Sequence, residues 1–274
     1  MRVRILTANT SFGLPKMNSI WWNLYGHFGI HGWIFPFLPI IGKYIKLRDN
    51  PKRLKFISKN SNLKTILNVI KKQHPNIIIL NELIFQTHKE EIEKKLKLEG
   101  FNSFAWGKSA HHNDATVCTL AASKLKATDT KIKPLTQINR AGSGGGTAGL
   151  KINNSPIIII GLHLSSCYPN LWKQQILEIA EIIKKERKAG NEVIVAGDFN
   201  ATEENINSIK RFKILGLKSV NNKTKTCPTC QILGFPKMKI LDHIFVSKNT
   251  KITNTKSGSF ESDHLWLSVD ITRF

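Results

Sequence analysis

Six apolar segments of this chain each deliver an acid, an amide or an imidazole at one edge. "VRILTAN" ends on Asn9, "NIIILNE" on Glu82, "IIIIGLHL" around His163, and "VIVAGDFN" on Asp198 and Asn200. "KILDHIF" carries Asp242 and His243, and "SDHLWLSVDI" opens with Asp263 and His264. In α/β proteins the carboxyl ends of strands are where ligands sit. One such ending is chance, but six of them drawn from Asp, Glu, Asn and His suggest a divalent cation beside a phosphate. Hard oxygen donors suit magnesium or manganese. Asp–His pairs suit an imidazole oriented for proton transfer or transition-state stabilisation. Within "VIVAGDFN", Gly197 permits a tight turn, and Asp198 and Asn200, two apart on extended chain, share a face. An ordinary turn is the competing reading, with Thr202 as N-cap of a helix over "EENINSIKRF".

The elements that must position these residues are readable from periodicity. "VRILTAN", "NIIIL", "ATVCTLAAS", "EVIVAG", "KILDHIFVS", "KITNTKSGS" and "LWLSVDIT" have the length and β-branched content of strands. "TAGLKIN" and "IIIIGLHL" form a strand pair around the turn signal "NNSP". "LKTILNVIKK" places Leu63, Ile66, Leu67 and Ile70 at helical spacing. "THKEEIEKKLKLEGF" predicts a helix with a Thr87–Glu90 capping box and Gly100 as its stop. "NLWKQQILEIAEIIKKERKAG" predicts a long helix opened by Pro169 and closed by Gly190. Interleaved strands and helices, with several antiparallel pairs, predict two mixed sheets packed as a sandwich with helices outside.

The chain has 274 residues, enough for one large α/β domain or two small ones. Its formal charge is +22, which favours a polyanionic partner, either nucleic acid or an acidic membrane surface. A Lys-, Ile- and Asn-rich composition alone also raises the charge. The 4 cysteines are too few for a disulfide framework, and "MRVRILTANT" is no secretory signal. The expectation is a cytoplasmic protein with reduced thiols. Residues 12–60 stand apart as an insertion, aromatic and apolar first and then basic from Lys43 to Lys59. Its uncharged run is too short and too broken by Pro and Gly for a membrane span. The 18–55 portion suits a membrane interface, a stacking platform for single-stranded nucleic acid, or a subdomain that buries its own aromatics.

In order, "TAN … NE … HL … GDFN … LDHIF … SDH" resembles the endonuclease/exonuclease/phosphatase superfamily, with its deoxyribonuclease I-like fold. The resemblance runs from residue 3 to about 271, apart from the insertion. It implies a single domain, a four-layer α/β sandwich of two mixed β-sheets with helices outside. It implies Glu82 as the main magnesium (or manganese) ligand, with Asn9 beside it and Asp263 assisting. Asp198 would position or deprotonate the attacking water, and Asn200 would bind the phosphate. Asp242 and His264 would pair, the carboxylate fixing the imidazole against a phosphate oxygen, and His163 would be a second imidazole there. Two positions depart from the usual pattern: Leu162 stands where Thr is common, and Asn81 where Gln is common. His163, where abasic-site endonucleases usually carry Tyr, argues against abasic-site repair.

Three functions compete. The favoured one is a magnesium-dependent phosphodiesterase acting on nucleic acid, a nuclease or DNA-end phosphodiesterase. The second acts on lipid headgroups or small phosphoesters, with the insertion touching membrane. The third is a non-catalytic binding module, which would have no need of Asp198, Asp242 and His264 together. Other signals weigh less. "CPTC", Cys227 to Cys230, has zinc-ligand spacing but lacks a second pair. "GSGGGTAG" lacks the Gly-Lys-Ser/Thr ending of a P-loop, and His111 and His112 read as surface loop. Because the insertion leaves the chain just after Asn9, trimming residues 18–55 to a Gly/Ser linker should spare hydrolysis of a small phosphodiester and weaken action on the natural substrate. Unchanged kcat/KM on DNA, RNA and phospholipid alike would reduce the insertion to a self-contained subdomain.

Overall fold

The strands carry near-continuous apolar runs because both of their faces are covered. In the computed structural model, described over residues 2–10, 63–109, 116–138, 144–166, 168–201, 215–220, 227–231, 234–262 and 264–272, two six-stranded sheets pack face to face. The insertion, His111, His112, Thr202 with the helix expected after it, and Asp263 lie outside the described residues. One sheet contains β1 (Arg2–Asn9), β2 (Ile77–Ile84), β3 (Ser103–Lys108), β4 (Val117–Ser123), β13 (Lys251–Gly258) and β14 (Trp266–Thr272), in the order β13-β14-β1-β2-β4-β3. The other contains β5 (Ala127–Asp129), β6 (Gly146–Ile152), β7 (Ile157–His163), β8 (Glu192–Asp198), β9 (Leu217–Ser219) and β12 (Asp242–Ser247), in the order β5-β6-β7-β8-β12-β9. Each sheet has one parallel pair at its centre, β1 with β2 and β7 with β8. A hairpin of β10 (Cys227–Gln231) and β11 (Gly234–Lys239) stands apart and contains the Cys-Pro-Thr-Cys stretch.

Helices α1 (Leu63–Gln73) and α2 (Phe85–Leu98) cover the first sheet, and α3 (Pro169–Lys188) covers the second. The four-layer α/β sandwich expected from the sequence is therefore present. Alternation sorts the side chains. Val3, Ile5, Ile77, Ile79, Ile157, Ile159, Ile194, Ala196, Ile244 and Val246 meet between the sheets. Their neighbours Ile78 and Leu80 pack under α1 and α2, and Ile158, Ile160, Val193 and Val195 pack under α3. No helix among the described residues is long and apolar enough to cross a membrane.

Two elements differ from expectation. α2 begins at Phe85, so Thr87 lies inside its first turn and does not cap it; Ile84 is the N-cap and makes no side-chain cap bond. β2 feeds the helix with no loop, and the Ile84 amide is instead taken by His88 Nδ1 at 3.0 Å. Gly197 is not at a turn but inside β8, opposite Leu162 and His243. Its φ of +138° and the 2.0 Å approach that any Cβ would make to the Leu162 carbonyl oxygen exclude other residues there.

At one end the contact between sheets turns polar. Asn81 continues the Ile77, Ile79 parity into the seam and is fully buried. Its Nδ2 donates to the Leu162 carbonyl at 2.8 Å and to Thr119 Oγ1 at 3.0 Å, while its Oδ1 accepts the Asp198 amide at 3.1 Å. Thr119 Oγ1 in turn donates to the Gly146 carbonyl at 3.2 Å. At the opposite end, Asp270 on β14 takes Arg4 through both oxygens, at 2.6 and 2.9 Å, and Arg2 as well. The Arg4 guanidinium, with Arg2 and Asn254 adding to it, holds that carboxyl well below the usual carboxylate range despite its burial. Replacing Asn81 by Leu removes three hydrogen bonds from the buried seam, at roughly 1–3 kcal/mol for each partner left unsatisfied. Asn81→Leu should therefore cost about 3 kcal/mol or more in urea unfolding; a loss below about 1 kcal/mol would show that the seam does not depend on the amide.

Candidate active site

The alternation that fills the seam with Ile and Val also delivers its polar residues. Asn9 shares the parity of Val3 and Ile5, His163 that of Ile157 and Ile159, Asp198 that of Ile194 and Ala196, and Asp242 that of Ile244 and Val246. These four therefore face the same cleft from four central strands. Glu82 has the wrong parity. Its φ of +58° and a register shift between Leu80 and Leu83 mark a bulge, which turns the carboxylate back toward the seam. β2 therefore does not end at Glu82 but continues to Ile84 beyond it. Glu82 Oε1 lies 3.5 Å from His163 Nε2, and its side chain keeps 18% exposure, against 1% for Asp198.

Asp198 sits at the centre. Its Oδ2 accepts from Asn9 Nδ2 at 2.8 Å and lies 3.9 Å from both His163 Nε2 and His264 Nε2. A gap of that width between hydrogen-bonding groups is one that a single bridging oxygen fills. Its Oδ1 accepts the Asn200 amide at 2.8 Å. The expectation that Asp198 and Asn200 share a face of extended chain is corrected here. Asn200 has φ of +50° in a short turn closed by the aspartate itself, an arrangement that Asn tolerates. Asn200 Nδ2 donates to the Leu164 carbonyl at 2.8 Å, which fixes the orientation of the amide.

His264 Nδ1 is 2.7 Å from Asp242 Oδ2, and both residues are buried. The carboxylate holds a proton on Nδ1, leaving Nε2 directed at Asp198. Burial pushes the His163 imidazole below its ordinary pKa, with Asp198 opposing the shift and His264 reinforcing it. Asn9, Glu82, His163, Asp198, Asn200, Asp242 and His264 are thus brought together as the sequence anticipates.

Several supporting residues escaped sequence reasoning. Asn81 was visible only as a neighbour of Glu82, although its parity with Ile77 and Ile79 pointed into the seam. Ser262 Oγ donates to the Asn9 carbonyl at 2.7 Å and accepts the His264 amide at 3.1 Å, tying the first strand to the last motif. From α3, Trp172 Nε1 donates to the Phe199 carbonyl at 2.8 Å, and Gln175 Oε1 accepts the Ser165 amide at 2.8 Å. His243 Nε2 lies 3.0 Å from the Ala201 carbonyl, its ring stacked on Phe245 and edge-on to Phe199. His243 therefore braces the Asp198–Ala201 turn from behind.

Among the described residues, two overlapping groups of side chains are spaced to hold a metal ion: Glu82 with His163 and Asp198, and Asp198 with Asp242 and His264. The first suits a hard cation better. Its glutamate oxygens reach solvent, whereas Asp242 and His264 already satisfy one another.

The sequence model of the Endonuclease/Exonuclease/phosphatase family matches residues 20–264. Among solved structures, the chain is similar to humanized TDP2 of D. rerio, at 13% identity and TM-score 0.59, covering 99% of each chain. It is similar to an endonuclease/exonuclease/phosphatase from Beutenbergia cavernae, at 13% identity and TM-score 0.65, covering 98% of this chain and 71% of that one. It is also similar to ANGEL2, a 2',3'-cyclic phosphatase, at 15% identity and TM-score 0.62, covering 98% and 95%. At such identities these structures share the fold. No curated protein matches the sequence.

The supporting histidines set a pH limit. Burial lowers His88 and His243 from 6.5 to about 4. Between those values the unfolded chain binds protons that the folded one refuses, so their contribution is complete above the unfolded pKa and is lost as pH falls toward the folded one. The loss amounts to roughly 3 kcal/mol per histidine. Urea midpoints should fall steeply from neutral pH to pH 4, and His243→Gln, which keeps a donor for Ala201 but cannot become charged, should flatten the fall. An identical profile for the variant would show that His243 does not stay neutral.

Proposed function

The chain belongs to the endonuclease/exonuclease/phosphatase family, and we propose that it is a magnesium- or manganese-dependent hydrolase of phosphodiester bonds in nucleic acid, a nuclease or DNA-end phosphodiesterase. The observation that carries this reading is the Asp242–His264 pair at 2.7 Å, facing Asp198 across from Glu82 and His163. A fold kept for binding alone has no use for an imidazole whose tautomer is set by a buried carboxylate. The charge of +22 supports a polyanionic substrate. D. rerio TDP2, a structural neighbour, has been crystallised with a single strand DNA product.

Glu82 would hold the cation, with the Asn9 amide oxygen and Asp263 as further donors, and the ion would neutralise phosphate charge. In the proposed reaction Asp198 orients the attacking water and takes up its proton. Asn200, fixed by Leu164, donates to a phosphoryl oxygen. His163 and His264 present their Nε2 atoms to the same phosphate from two sides, and Asp242 stabilises positive charge on His264 as the leaving oxygen departs. Each of these groups is preorganised by a buried partner, the condition under which a donor contributes most to the transition state.

Substrate panels of DNA, RNA and phospholipid vesicles, with and without magnesium, test the reading. Activity should vanish in excess chelator, and Glu82→Gln should shift the metal response with little change in stability. Asp198→Asn and His264→Ala should each lower kcat about a hundredfold or more while leaving substrate binding nearly intact. Asp242→Asn combined with His264→Ala should cost no more than His264→Ala alone, since the two act as a unit. Full turnover in chelator would remove the metal from the scheme, and turnover of phospholipid alone would replace nucleic acid by a lipid substrate.

A further inference from the structure

We propose that Lys89 and Lys108, gathered on the ring of Phe85, form a phosphate-binding subsite that holds the substrate strand beside the catalytic cleft; this rests on the nucleic-acid reading above. Phe85 follows Glu82 by three residues, at most about 10 Å of chain. Lys108 ends β3 and pairs with Cys118, the same residue that pairs with Leu83, so the patch lies at the same end of the first sheet as Glu82, on the face that packs under α2.

Three observations converge. Lys108 Nζ lies 4.3 Å from the Phe85 ring centroid and Lys89 Nζ lies 5.0 Å from it, two cations on one aromatic group. Trp106 meets the same ring edge-on at 5.5 Å and donates its Nε1–H to Glu93 at 2.7 Å, the acid one helical turn after Lys89 on α2. Neither lysine has an acidic ion-pair partner among the described residues.

The placement is electrostatically costly as it stands. Phe85 is the first residue of α2, whose first turn holds no acid and whose N-cap provides no side-chain acceptor. Cations near the positive end of a helix are disfavoured, and anions are favoured. Two lysines at that end with no acidic ion-pair partner among the described residues break a local rule, and such breaks mark functional sites. A backbone phosphate resolves the conflict by neutralising both cations and the helix end together. Lys89 and Lys108 can swing toward it while their stems stay packed, and the half-buried Phe85 holds both in reach.

The test compares wild type with Lys89→Gln/Lys108→Gln and with Phe85→Leu. The readouts are direct binding of a phosphorothioate oligonucleotide over a salt series and the ratio of kcat/KM for an oligonucleotide to that for bis(p-nitrophenyl) phosphate. The double variant should bind more weakly, with a log-affinity salt slope shallower by about one per lysine. Its oligonucleotide preference should drop about tenfold or more, since each lost phosphate contact weakens binding across sequences. Phe85→Leu, which keeps apolar bulk but loses the ring, should lose about threefold in binding. Wild-type slope and preference in the double variant would overturn the subsite and leave the proposed function standing. A wild type that hydrolyses the small ester but neither binds nor cleaves oligonucleotides would overturn both. Oligonucleotide binding that depends on the lysines without cleavage would retain the subsite and overturn the nuclease reading.

Discussion

The site exists because one buried carboxamide joins the two sheets. Asn81 belongs to β2, yet its three hydrogen bonds run to Thr119 on β4, to the Leu162 carbonyl of β7 and to the Asp198 amide of β8. The last two are groups that a parallel ladder sets opposite one another. Asn81 therefore docks one sheet onto the central pair of the other. Glu82 comes next in sequence, so the same amide sets how far the glutamate carboxylate stands from Asp198. Family resemblance leads one to expect Gln at 81 and Thr at 162. In this chain the two unusual residues meet only through the backbone: Asn81 bonds the Leu162 carbonyl, while the Leu162 side chain packs on the α3 side.

Most of the architecture was legible because period-two alternation is strict here. Val3-Ile5, Ile77-Ile79, Ile157-Ile159 and Ile194-Ala196 define the seam, and counting on by two reaches Asn9, Asn81, His163 and Asp198. The parts that resisted reading break the count or mimic another signal. Glu82 reaches the cleft through a bulge, and a residue at φ of +58° leaves no trace in composition. Asn200 does so through a left-handed turn closed by its neighbour's carboxylate. "SFAWGK" gives little strand signal because it is short, carries a glycine, and buries its small residues while its two aromatics stay half-buried. Thr87 and Glu90 have capping-box spacing, but β2 runs straight into the helix and leaves no loop for a cap to terminate.

The histidines divide by partner and burial. His88 and His243 bind backbone groups and are held neutral, so they act as rigid braces. His264 is oriented by Asp242, whereas His163 stands between two carboxylates. The two kinds are hard to tell apart in sequence, since His243 and His264 each follow an aspartate. Strand parity separates them: Asp242 faces the seam, so His243 faces the helix side and stacks on Phe199 and Phe245.

A chain with +22 net charge has placed Glu82, Asp198 and Asp242 in one cleft, the worst local environment for a phosphate. Polyanion attraction by the whole surface brings a substrate close but cannot by itself seat it against three carboxylates. On the proposed reading, local positive charge would do that, from a cation among the carboxylates and from the rim. On the first sheet the rim has two flanks. On one, Thr10 closes β1 by bonding the carbonyls of Asn81 at 2.9 Å and Glu82 at 3.2 Å, so the chain departs into residues 11–62 from beside the glutamate. On the other stand Phe85, Lys89 and Lys108. Glu82 lies between them; on the proposed nuclease reading, the reacting phosphate would be the point where both flanks act on one strand, with substrate choice set at the rim and the chemistry in the seam.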